Sequence, residues 1–191
     1  TRLTENIGHF DAKTSRDLAA VAEKYQVGLK EHNGDYQDEG ILLAHPALGI
    51  TAMNVAPEYG TVETRAYLKL IELEEILFKE GLVSKKSDLK NCIRRESVKS
   101  RRWEKWMTDD TVSKTTEELL QDEEIITVIT DISGHYTFNN DNVKKEIEAL
   151  FENLSEAGVN AEEYVIYKLK ESLDRYVECF NLKGYTSRLK K

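Results

Sequence analysis

The sequence contains no uninterrupted apolar stretch approaching the ~18 residues of a membrane-spanning helix, so no transmembrane segment is expected. Cysteine is scarce: Cys92 and Cys179 are the only two, far apart and in helix-like surroundings. That excludes a disulfide framework and a CxxC metal or redox motif, and makes a reduced, cytoplasmic protein the simplest reading. There is no excess of basic residues. With 27 Lys and Arg against 35 Asp and Glu, the net charge of −8 disfavours a dedicated nucleic-acid binder. No P-loop, dinucleotide fingerprint, internal repeat or low-complexity tract is present, so no nucleotide site is expected. The sequence starts at Thr1 rather than a methionine and shows no signal peptide, as after removal of a start residue or in one part of a longer chain. What the 191 residues do contain is 40% apolar and 32% charged residues. That is too apolar for global disorder and enough for one core, or a core with an appendage.

The first third alternates helix-like and strand-like segments. In Asp11 to Gln26, Leu18, Val21, Ala22 and Tyr25 recur at helical spacing. Val27 to His32 reads as a short strand, followed by a loop in which Gly34 marks a tight turn. Ile41 to Leu48 is a short apolar stretch interrupted by Pro46. Gly49 to Val55 is a second strand, apolar enough to suggest burial on both faces. Pro57 opens a helix running to about Glu80, with Val62, Ala66, Leu70, Leu73 and Leu77 on one stripe and Gly81 as its stop. This order is the signature of parallel α/β units. From Leu82 the character turns helical. Ser87 to Met107 is a charged helix. Glu117 to Asp131 is ambiguous, helix-like at its start and β-branched at Ile125-Ile-Thr-Val-Ile129. Asn140 to Ala157 and Ala161 to Asn181 are clear helices, the first capped by Asn140 or Asp141 and ended by Gly158.

Several residue types invite chemistry. His32 stands at the C-terminal end of a predicted strand, the end that faces the active site in parallel barrels. Imidazole is a common divalent-metal ligand, and Asp35 follows within reach of a substrate hydroxyl. The alternative is a histidine bonded into an ordinary loop. Asn54 offers an amide to a sugar hydroxyl, or is a turn residue. Arg94, Arg95, Lys99, Arg101, Arg102 and Lys105, interleaved with Trp103 and Trp106, form either a phosphate or RNA surface or, with Glu96 and Glu104 among them, a solvated helix face with tryptophans packed inward. Ser133-Gly134-His135-Tyr136 lacks the glycine spacing of a nucleophile elbow. His9 and His45 have no partner at metal-ligand spacing.

Glu31-His32-Asn33-Gly34-Asp35-Tyr36-Gln37, followed after a spacer by Gly49-Ile-Thr-Ala-Met-Asn54-Val-Ala-Pro-Glu58, resembles the last strands of class II ketose-bisphosphate aldolases. It is most similar to the accessory, non-catalytic subunit family of tagatose-bisphosphate aldolase, often labelled tagatose-6-phosphate kinase. Arg102 to Trp106, Asp131 to Tyr136 and the two closing helices occur in the order that family shows. The resemblance implies an α/β fold. Residues 1–81 would be the last βα units of an incomplete (β/α)₈ TIM barrel, and residues 82–191 a mainly helical C-terminal extension. It implies helix for Glu117 to Asp131. It also implies that His32 matches a metal ligand, with zinc the expected divalent metal, polarising a ketose carbonyl as a Lewis acid. Asp35 would be an acid/base group, and Asn54, Tyr36 and Gln37 substrate contacts. The remaining ligands and strands would lie upstream of Thr1. A barrel takes ~250 residues, so the chain would be a C-terminal part.

The sequence departs from related aldolases twice. Asn33-Gly34-Asp35-Tyr36 replaces a glycine- and serine-rich phosphate loop, and Ala56-Pro57 replaces an aspartate and a threonine after the asparagine. Both changes remove donors for a substrate phosphate. They favour an accessory subunit in carbohydrate metabolism (tagatose or galactitol), supporting a catalytic aldolase in an oligomer with a sugar or sugar phosphate as ligand. The alternatives are a metal-dependent ketose or sugar-acid epimerase or aldolase working through an enediolate, and a helical interaction module. No motif supports kinase activity.

Overall fold

A computed structural model describes residues 4–189. In chain order its elements are α1 (Ala12–Lys24), β1 (Leu29–Glu31), α2 (Glu39–Ala47), β2 (Ile50–Met53), α3 (Pro57–Lys79), α4 (Leu89–Ser100), α5 (Asp109–Val112), α6 (Thr116–Gln121), α7 (Glu123–Ser133), α8 (Asp141–Glu156), α9 (Ala161–Cys179) and α10 (Tyr185–Leu189). Single 3₁₀ turns occur at Glu104–Trp106 and Gly134–Tyr136.

The described residues are 67% helical with two short parallel strands, which makes this a helical protein and overturns the expected C-terminal part of a (β/α)₈ TIM barrel. The strands are 3 and 4 residues long, and the β-branched run Ile125–Ile129, the one later segment with strand character, is helical. Nothing among the described residues therefore continues the βα alternation beyond β2. The chain divides instead into two compact units. One combines the described residues up to Tyr59 with those from Lys170 on, and the other spans Gly60–Leu169. Both boundaries fall inside helices, α3 and α9.

In the first unit, Asp11 caps α1 by accepting from the Lys13 and Thr14 amides at 2.9 and 3.1 Å. The apolar stripe that predicts this helix stays uncovered, with Leu18, Val21 and Tyr25 each more than half exposed. β1 and β2 pair in parallel, Leu29 opposite Ile50, Lys30 opposite Ala52 and Glu31 opposite Met53, with a register irregularity after Leu29. α2 is the crossover between them, capped by Asp38. Pro46 lies inside the last turn of α2, where it gives up one helical hydrogen bond, and the helix ends one residue later. β2 is not buried on both faces: Ile50 is buried, but Thr51 and Ala52 are exposed.

The second unit holds the larger core. Ala66, Tyr67 and Leu70 of α3, Leu89, Cys92 and Ile93 of α4, Val143, Leu150 and Leu154 of α8, and Ala161 and Val165 of α9 pack together. Burial pushes the Tyr67 hydroxyl pKa up to about 12. One acid enters this interior: Glu74 is 1% exposed and accepts from the Ser87 amide and hydroxyl and from the Asn153 amide at 3.0, 2.8 and 2.7 Å. The ambiguous stretch forms two helices. Thr115 and Glu118 make a capping box on α6, and Asp122 breaks the run and caps α7 through the Ile125 amide. Ile126 and Ile129 are fully buried, so the β-branched residues are held in helix by burial of one face. The basic stretch is tied down by ion pairs: Arg94, its side chain only 13% exposed, grips Glu123 with two bonds at 2.8 and 2.6 Å, while the more exposed Arg95 pairs with Asp88 and Lys99 with Glu96. Of its tryptophans, Trp103 packs inward and donates to the Val98 carbonyl at 3.1 Å, whereas Trp106 is 45% exposed.

Candidate functional site

The residues after β1 turn sharply. Asn33 and Tyr36 take left-handed φ values of 62° and 59°, and Gly34 lies so close to Met53 that a Cβ there would collide with its Sδ. The turn drives Asp35 into the interior, where it is 1% exposed. Its Oδ1 accepts from the Ala56 and Glu58 amides at 2.9 and 3.0 Å, satisfying orphan donors at the start of α3. Glu58 follows it inside at 4% exposure. Its carboxylate collects the Tyr36 amide at 2.5 Å, the Ser172 hydroxyl at 2.8 Å, the Arg175 guanidinium at 2.6 Å and the Tyr176 hydroxyl. Arg175 also donates to the Tyr176 hydroxyl at 3.0 Å. Burial, then the bond to Glu58, pushes the Tyr176 phenol far above its usual value. Burial and the Glu58 charge raise Tyr59 as well. This knot fastens the last turns of α9 to the loops after β1 and β2.

A second polar group lies beside it and opens outward. His45 of α2 is completely buried. Its ring stacks on Phe10 at 5.1 Å and meets the edge of Phe180 at 5.9 Å. Nδ1 lies 2.6 Å from the Ile41 carbonyl, and Nε2 contacts the Glu31 carboxylate. The other oxygen of Glu31 accepts from the Gln37 amide at 2.5 Å. Glu31 and Gln37 line a cleft of about 450 Å³ together with His32, Asn33, Lys30, His9 and the first turn of α1.

The sequence-derived candidates are thus separated. His32 is exposed and Gln37 buried, and both line this cleft; Asp35, Tyr36 and Asn54 are not among its lining residues. Asn54 is exposed, and its backbone joins the turn by donating to Glu31 and accepting from Gly34. Among the described residues, no group of three or more His, Cys, Asp or Glu side chains is placed to hold a metal ion. Sequence reasoning missed Glu31 and His45. The available signal was Glu31 two residues after Leu29, which puts a carboxylate on the same strand face as an apolar residue. Among the described residues, no helix is long and apolar enough to cross a membrane. No family model matches the sequence, and no curated protein or solved structure matches it.

Proposed function

We propose that this chain acts in cytoplasmic carbohydrate metabolism as a non-catalytic accessory subunit, sustaining the activity and stability of a class II tagatose-bisphosphate-type aldolase. The observation that carries this reading is the placement of Asp35. A general acid or base must come within hydrogen-bond reach of the proton it moves. Asp35, the acid that the motif offers for this role, is closed inside the protein at 1% exposure and engaged by two backbone amides. The motif survives as a structural joint: Asp35 caps α3, and Glu58 fastens α9. The order of the resembling segments supplies the aldolase connection. The replacement of the phosphate loop by Asn33-Gly34-Asp35-Tyr36 points the same way.

A catalytic tagatose-bisphosphate aldolase assayed with and without this chain tests the proposal. The expected result is a several-fold longer activity half-life of the aldolase at 37 °C, with no turnover by this chain alone on sugar phosphates or free ketoses. An unchanged half-life refutes the accessory role. Zinc-dependent turnover by the chain alone, lost in His32→Ala, would replace it with the epimerase or aldolase reading, to which His32 at the rim of the cleft lends its support.

A further inference from the structure

Two wholly or largely buried side chains converge on Glu31, which itself reaches the cleft. His45 is 0% and Gln37 6% exposed, whereas the Glu31 side chain keeps 26% exposure. A carbonyl oxygen only accepts, so Nδ1 of His45 donates to Ile41 at 2.6 Å, and Nε2 faces one oxygen of the Glu31 carboxyl group. The second carboxylate oxygen is held by the Gln37 amide. This grip leaves Gln37 Oε1 buried with no partner, an arrangement that calls for a reason. Holding Glu31 in one orientation supplies that reason. Each oxygen retains a second lone pair, and the exposed part of the side chain belongs to the cleft.

We propose that Glu31 is the ligand-recognising carboxylate of this cleft, positioned by His45 and Gln37, and that it takes a small, neutral, polyhydroxylated molecule. The proposal rests on the accessory-subunit reading and gives that subunit a ligand class. The cleft, at about 450 Å³, suits a molecule of that size. Its walls mix acceptors (Glu31, Asp11), donors (Lys30, His9) and apolar faces (Phe10, Ile50). That mixture matches hydroxyls, which both donate and accept, on a carbon skeleton. The carboxylates of Glu31 and Asp11 in the cleft walls disfavour an anion.

The test is a titration of the full chain with a hexitol, a ketohexose and the ketohexose 6-phosphate, read by amide chemical shifts. Saturable binding of the two neutral molecules is expected, with shifts confined to the cleft lining at residues 6–18, 29–37, 41 and 50. Glu31→Gln should weaken binding at least about tenfold, because one of its two acceptor oxygens becomes an amide nitrogen that only donates. The variant retains the internal bonds, since its amide oxygen still accepts from Gln37 and its nitrogen donates to Nε2 of His45. His45→Gln and Gln37→Met should lower affinity in the parent chain but not in the Glu31→Gln background. A purely structural role would lower it in both. No saturable binding, binding of the phosphate alone, wild-type affinity in Glu31→Gln, or shifts located elsewhere each overturns the proposal. Aldolase stabilisation is measured separately. If it persists without polyol binding, only this inference fails; if binding persists without it, only the accessory role fails.

Discussion

Glu31 ends β1 and Asp35 lies in the turn that follows, two acids with opposite surroundings, and the difference governs what substitution does. Asp35→Ala removes the acceptor for two α3 amides and should lower stability by about 1–2 kcal/mol in urea unfolding. Asp35→Asn keeps an acceptor oxygen and should lose clearly less; equal losses would argue that the carboxylate charge matters more than the cap. His135 provides a pH signature. Its ring lies against Gly60, where a Cβ would collide with it, and burial depresses its pKa below the ordinary 6.5. The unfolded chain takes up a proton near that ordinary value while the folded chain resists, so stability falls as pH drops through about 6.5 toward the depressed value. His135→Phe should remove this component. The urea midpoint should then decline less between pH 7.5 and 5.5 than in the parent chain, and identical declines would sink the assignment.

At the scale of elements, turns and caps decide where helices and strands begin. Gly34→Ala should destabilise the β1–α2 turn by roughly 1–3 kcal/mol through overpacking against Met53. Adding Met53→Ala should recover part of that loss in a double-mutant cycle. Simple additivity would overturn the Met53 contact as the origin of the penalty. Asp122→Ala should cost about 1 kcal/mol by uncapping α7, measurable as a lower melting temperature. Most helix positions were legible because their signals are local: the Asp11 and Asn140 caps, the Ala66–Leu70 face and the Gly158 stop all lie within a few residues of the element they punctuate. The barrel was a misreading because two short strands matching a motif carry no information about the strands a barrel also needs. For the cleft, His32 and Gln37 were legible as residues after a strand. The Glu58 knot was not, because its partner Tyr176 is 118 residues away in sequence, and no periodicity reports a contact that distant. His45 was hidden for a related reason. Its partner Glu31 lies on a strand while it lies on a helix, so their spacing fits neither period.

For the whole molecule, the helical architecture makes a direct spectroscopic prediction: far-ultraviolet circular dichroism should report close to the 67% helix of the structure. A spectrum with substantial strand content would restore the α/β reading. The division into units also sets an order of events. The first unit is assembled from both sides of the second, and its knot joins Gly34 to Tyr176 across 142 residues. Closing a flexible loop of that length carries a length-dependent entropy penalty of roughly 4 kcal/mol, whereas the Gly60–Leu169 core closes through shorter loops. Once that core is ordered, residues 60 and 169 are held at a fixed separation and the long loop no longer has to be searched. A ribosome releasing this chain would therefore expose Gly34 and Glu58 early, with their α9 partners still unmade. The central insertion would condense first, and the unit containing the cleft would be the last part of the protein to become competent.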